Sequence, residues 1–163
     1  TRYVLSEENL LRAQKEQNIN GIFYYLEKAQ RLYPDNFEVY NAKGDVFYRI
    51  FSVTGDVSYE KKAESFYRHA VLLNPRLSAV YRKLAAMYET SGKMKSAERM
   101  YLKLLETYPN KKQYNIETAL FYKKKGDEKN FLRYYQASKK LHETSTEEAF
   151  AVADYKKWIE SQK

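Results

Sequence analysis

The sequence predicts an all-α solenoid of about four amphipathic helix pairs in tandem, followed by a C-terminal capping helix. Three observations carry that expectation. Pro34, Pro75 and Pro109 are the only prolines, and each follows an apolar segment with Ala29, Ala70 or Leu104 five places upstream. Aligned on these prolines, the chain steps by 41 and then 34 residues, and the 34-residue step recurs at Ala63/Ala97, Tyr67/Tyr101 and Gly92/Gly126. A period of that length, built from paired amphipathic segments, is a mark of helical repeats. Finally, five glycines and three prolines in 163 residues leave few tight turns, which favours long helices over many short strands.

The first repeat, 3–36, matches mainly in its second half, where Ala29 and Pro34 fit. Ser6 and Leu10 stand where later repeats carry an aromatic and a small residue. The second, 37–77, has Tyr40, Gly44, Phe47, Ala63, Tyr67, Ala70 and Pro75, with seven extra residues between Phe47 and Ala63. The third, 78–111, is the clearest. Tyr81, Leu84, Ala85 and Tyr88 fall at i, i+3, i+4 and i+7 on one helix face, and Ala97, Tyr101 and Leu104 form the facing stripe. Ala85 and Ala97 allow close backbone approach, Gly92 permits the turn, and Pro109 ends the second helix. The fourth, 112–145, keeps Ala119, Tyr122, Gly126 and Tyr135, but puts Phe131 at a small position and Glu143 in place of proline. Beyond it, Ser145 and Glu148 make a capping box for a helix over about 146–161, with Ala149, Val152, Tyr155 and Ile159 on one stripe and Trp158 beside it. Such a helix would cover the last apolar face.

The third repeat resembles a tetratricopeptide repeat: aromatic Tyr81, Leu84, small Ala85, Tyr88, the Gly92 turn, small Ala97, Tyr101, Leu104 and Pro109. The resemblance extends over about 140 residues. It implies a right-handed superhelix forming one repeat domain over 1–163, in which the first helices of successive repeats line a groove for peptides or partner helices. Residue by residue, it implies that Asn41, Asp45, Tyr48 and Arg49 line that groove in the second repeat. Arg82, Ala86 and Glu89 do so in the third, and Gln113, Ile116, Leu120, Lys123 and Lys124 in the fourth. Ile116 and Leu120 are expected to supply apolar contact. The lysine, asparagine and arginine set with which some family members clamp a chaperone's C-terminal carboxylate is missing: Asp45 and Glu89 put negative charge in the groove, and Gln113 is neutral.

Composition narrows the chemistry. There is no cysteine, so disulfides, thiolate metal sites and cysteine nucleophiles are excluded. His69 and His142 are isolated, and the scattered glycines form no phosphate-binding loop, so neither a metal, a cofactor nor an enzymatic activity is expected. No apolar run approaches the roughly 20 residues a membrane helix needs. The start at Thr1 reads as an excised or processed form. Frequent Lys, Asn and Tyr with little Gly and Pro resemble proteins of AT-rich genomes and point toward a bacterial assembly factor, of the cytoplasm or the cell envelope.

The expectation is therefore a non-catalytic protein–protein interaction scaffold. The net charge is +8, and from Lys111 to Glu143 nine Lys or Arg face four acids, so an acidic partner segment would fit. A helical-repeat RNA binder is the alternative; against it, the groove residues differ in type between repeats, whereas such binders use one base-reading set per repeat. Gly55-Asp56 is a turn signal within the seven-residue expansion, which predicts helix to about Ile50 or Ser52 and a loop to about Ser58. Phe51, Val53 and Val57 would then form a protruding contact for the partner.

Overall fold

A computed structural model describes residues 1–141. The predicted capping helix with Ser145, Glu148 and Trp158 lies outside the described residues, as does His142. Among the described residues there are eight α-helices and no strand: α1 Arg2–Lys15, α2 Ile19–Leu32, α3 Phe37–Thr54, α4 Val57–Leu73, α5 Ser78–Thr90, α6 Met94–Thr107, α7 Lys112–Lys125 and α8 Glu128–Lys139. None is long and apolar enough to cross a membrane. The chain divides into two compact units, Thr1–Met87 and the residues from Tyr88 onward.

The three prolines act as predicted. α2, α4 and α6 each end two residues before a proline, at Leu32, Leu73 and Thr107. The residue between is extended, with φ of −143° at Tyr33, −136° at Asn74 and −137° at Tyr108, because a following proline ring excludes the helical conformation. Its N–H still closes the last turn on the carbonyl of Ala29, Ala70 or Leu104, at 2.9–3.0 Å. The residues that recur five places before proline are thus the final backbone acceptors of their helices. Helix starts are capped by side chains: Asn18 on α2, Asn36 on α3, Asp56 on α4 and Asp127 on α8.

In the first unit α1 packs on α2, α2 on α3, and α3 on α4. Leu10, Ala13, Ile22, Leu26, Ala29, Val39 and Val46 form one buried cluster. Leu10 therefore serves the core despite replacing a small residue. Ser6 is fully buried, and its hydroxyl donates to the Ala29 carbonyl at 2.9 Å. Gly44 marks the closest approach of α3 to α4: a Cβ there would lie 2.5 Å from two Tyr67 ring carbons.

The expansion in the second repeat differs from the expected loop. α3 runs through Thr54, Gly55 caps it at φ +69°, and Asp56 starts α4 at Val57. The extra residues lengthen both helices, to 18 and 17 residues, and the turn is only Gly55-Asp56. Two side-chain bonds stabilise the added turn, Ser52 Oγ to the Tyr48 carbonyl and Thr54 Oγ1 to the Ile50 carbonyl. Phe51 is buried, so it belongs to the core rather than to a protruding contact. Val53 and Val57 stand exposed near the tip.

In the C-terminal unit α6 packs on α7 and α7 on α8. Tyr88, Ala97, Leu104, Ile116, Ala119, Phe121, Tyr122, Phe131 and Tyr135 are buried. Phe131, at a position the repeat gives to a small residue, fits by stacking on Tyr135, with ring centres 5.8 Å apart.

Candidate functional site

The first unit holds a cavity of about 530 Å³. Its floor comes from the core cluster: Leu10 and Ala13 on α1, Ile22 and Leu26 on α2, Ala42 and Val46 on α3. Asn41, Asp45 and Arg49 line the same cavity. They recur every four residues along α3, so they share a face one turn apart. Three of the four groove positions assigned to the second repeat are therefore brought together; Tyr48 does not line the cavity.

Polar groups fix this face. Lys83 on α5 donates to Asn41 Oδ1 at 2.9 Å and to Asp45 Oδ2 at 2.8 Å. The Tyr67 hydroxyl donates to Asp45 Oδ1 at 2.7 Å. The negative charge expected of Asp45 is thus matched by a lysine. Burial, then the Asp45 carboxylate beside it, pushes the Tyr67 hydroxyl far above its usual value of 10.0. Glu16 accepts from the Gln17 and Asn18 backbone N–H groups at 2.9 Å; Arg49 and Glu38 are the other rim charges, and among the described residues no salt bridge engages them.

Sequence reasoning missed Lys83 and the floor. Asn41 and Asp45 at i and i+4 form an acceptor pair that calls for a cation, and Lys83 sits on the next first helix of a repeat. The floor was hidden because Leu10, Ile22 and Leu26 read as core residues of the degenerate first repeat. They are core, and they also bottom the cavity.

The C-terminal unit treats its assigned residues differently. Ile116 is buried and cannot offer apolar contact; Leu120 is exposed. Glu89 accepts from the Tyr101 hydroxyl at 2.7 Å and pairs with Lys124 at 2.9 Å, so Lys124 neutralises its own chain's carboxylate. Lys125 pairs with Glu98 at 2.7 Å, and Glu98 also accepts from Tyr122 at 2.7 Å. Those two bonds, Lys125 first, hold the Glu98 carboxyl below its usual value. Burial and the Glu98 bond push the Tyr122 hydroxyl up. Lys123 and Gln113 remain on helix surfaces, as does Arg82 of the first unit, and Gln113 bonds Glu117 at 3.1 Å.

Among the described residues no group of three or more His, Asp and Glu side chains could hold a metal. His69 lies against Tyr40, with ring centres 4.1 Å apart and the rings tilted by 35°.

Solved structures of MamA share this fold. One matches over 83% of this chain and 77% of its own, with a TM-score of 0.66 and 21% identity. MamA AMB-1 matches over 92% and 78%, with a TM-score of 0.63 and 18% identity. MamA MSR-1 matches over 86% and 76%, with a TM-score of 0.60 and 16% identity. MamA is a helical solenoid of tetratricopeptide type, so the fold of this chain is an all-α array of that kind. No protein-family model matches the chain. No curated protein matches it.

Proposed function

We propose that this protein is a non-catalytic interaction scaffold that holds a peptide or helical segment of another protein in the groove of its N-terminal unit. One observation carries the reading: an apolar floor and a polar rim meet in a cavity of about 530 Å³, on the α3 face that the repeat architecture assigns to binding. An apolar concavity with a few placed polar groups is how proteins take up short segments. Leu10, Ile22, Leu26 and Val46 would supply affinity, and Asn41, held by Lys83, would set register.

The rim chemistry refines the partner. Glu16, Glu38 and Asp45 line the groove with Arg49, and with Lys83 paired to Asp45 from outside the lining, the two remaining carboxylates outnumber the one remaining cation. An apolar segment bearing a basic residue suits this groove better than the acidic segment that the net charge suggested. The same balance disfavours a phosphate backbone, and so supports the scaffold over the RNA reading. The Val53 and Val57 tip remains a secondary contact in this proposal, without Phe51. Frequent Lys, Asn and Tyr with little Gly and Pro support, in this reading, a role in bacterial assembly.

The test is site-specific photo-crosslinking in the source cell, with the crosslinker at Asn41 or Arg49 and, for comparison, at the outlying Leu72. Groove positions should capture one recurrent segment. A synthetic peptide of that segment should bind the purified chain and lose affinity on Ala42→Arg, which fills the groove. Equal capture from Leu72, or binding indifferent to Ala42→Arg, would overturn the proposal.

A further inference from the structure

We propose a second docking surface, in the C-terminal unit, that takes an acidic amphipathic segment of a partner protein. It shares no residue with the N-terminal groove. A cavity of about 570 Å³ lies between α8 and the turn from Pro109 into α7. Its lining includes Lys129 and Arg133 on α8, Lys140 at the α8 C-cap, and, among the described residues, no carboxylate. Leu132, Ala137 and Leu141 run beside these cations.

The cations are available. Lys124 and Lys125, a short way upstream, are consumed by Glu89 and Glu98. Among the described residues no salt bridge engages Lys129, Arg133 or Lys140; Arg133 lies over the Tyr134 ring at 5.3 Å, which leaves its N–H groups to a ligand. Asp127 is near enough for Lys129 to help lower its pKa, but its oxygens accept from the Asn130 backbone and side-chain N–H groups, at 3.0 and 2.8 Å.

Spacing selects the ligand. At about 1.5 Å rise per residue, Lys129 to Lys140 spans roughly 16 Å. An antiparallel helix with carboxylates about one, two and three turns apart would meet all three cations, and its leucines would meet Leu132 and Leu141. Single-stranded nucleic acid would also bring negative charge. It binds by stacking bases on aromatic side chains, and among the described residues no aromatic side chain lines this cavity.

The experiment measures fluorescence anisotropy of the full chain with a labelled helical probe peptide carrying Glu at i, i+7 and i+11, the antiparallel counterpart of Lys140, Arg133 and Lys129, and Leu between them. Arg133→Glu with Lys140→Glu should weaken binding about tenfold or more, since facing charges are reversed. The milder Arg133→Gln with Lys140→Gln should weaken it less, and circular dichroism should show both variants folded. A charge-matched control in the other unit, Arg2→Glu with Lys61→Glu, should leave affinity nearly unchanged, as should Arg49→Glu. A scrambled peptide of equal composition should bind weakly.

Equal loss in the control, equal binding of the scrambled peptide, or tighter binding of a single-stranded RNA of equal charge would each overturn the proposal. So would failure of the probe to bind. Residues 143–155 carry Glu143, Glu147, Glu148 and Asp154 and no Lys or Arg. If the probe binds the full chain only after Glu147→Lys with Glu148→Lys, the surface serves this chain's own C-terminal segment, and the partner proposal falls.

Discussion

Gly44→Ala is the substitution whose sign separates the packing argument from simple helix propensity. Gly44 lies inside α3, where alanine would ordinarily stabilise by about 1 kcal/mol. Here the new methyl would sit 2.5 Å from Tyr67 Cδ1 and Cε1 and 3.0 Å from Cγ. The Tyr67 ring is fully buried, and its hydroxyl is tied to Asp45. Either the helices separate or the ring moves. Overpacking of this kind costs about 1–3 kcal/mol. Loosening the hydroxyl's bond to a carboxylate costs about a further 1–2 kcal/mol, the lower part of the range because Asp45 is half exposed. Set against the propensity gain, the net loss is about 1–4 kcal/mol.

For a chain of this size, Tm should fall by about 2–4 °C for each kcal/mol lost. The assay is urea and thermal unfolding followed by circular dichroism, with tyrosine fluorescence as a second probe, because repeat arrays need not unfold in one step. Tyr67→Val in the Gly44→Ala background should recover part of the loss relative to the sum of the two single changes. If Gly44→Ala melts at or above the wild type, α3 and α4 do not approach as closely as described, and the reasoning fails.

Phe51→Ala should destabilise by about 3–5 kcal/mol in urea unfolding while Val53→Ser changes little, because only Phe51 is buried. Lys43 is buried against Glu27, Gln30 and the Phe66 ring, so Lys43→Met should be neutral or raise Tm, since an apolar group avoids the cost of burying a charge. The Tyr67 hydroxyl titrates higher in the folded chain than its unfolded value of 10.0. Its contribution is therefore complete below pH 10 and lost as pH rises above it; ultraviolet titration should show tyrosinate appearing only with alkaline unfolding for this residue, and Tyr67→Phe should flatten that fall in stability. Lys124→Glu should lower Tm only slightly, because its pair with Glu89 is largely exposed on the lysine side.

The repeat was legible because steric rules enforce it one residue at a time. Proline stops a helix wherever it falls, positive φ favours glycine at 55, 92 and 126, and the close approach of α3 to α4 excludes bulk at Gly44. What stayed hidden depends on which atoms meet in space. The turn signal at Gly55-Asp56 was real, yet nothing local says whether flanking residues extend helices or fray into a loop; burial of Phe51 decided it. The α3 part of the groove could be read because the repeat fixes which face of a first helix is free. The fourth repeat misled because α7 has almost no amphipathic contrast: Asn115, Ile116, Thr118, Ala119, Phe121 and Tyr122 are all buried, so apolar Ile116 did not mark a free surface.

The 17 tyrosines answer a question about charge rather than about stacking on a ligand. Among the described residues a tyrosine hydroxyl and a lysine close on one carboxylate three times: Tyr67 and Lys83 on Asp45, Tyr101 and Lys124 on Glu89, Tyr122 and Lys125 on Glu98. The ring fills space between helices, and the hydroxyl places one fixed donor against a carboxylate at the rim, where phenylalanine would leave the acid to water. Each such set ties helices together and removes one positive and one negative charge from the surface available to a partner. The +8 net charge is therefore a poor guide to binding. A pair inside the chain cancels locally, and screening confines what remains to about 10 Å. On the proposed readings recognition would follow the charges left over: Glu16 and Glu38 against Arg49 beside an apolar floor in one unit, and Lys129, Arg133 and Lys140 without a carboxylate among the described residues in the other. One chain of basic composition can on this account present two surfaces of opposite preference, which is what a scaffold joining unlike partners requires.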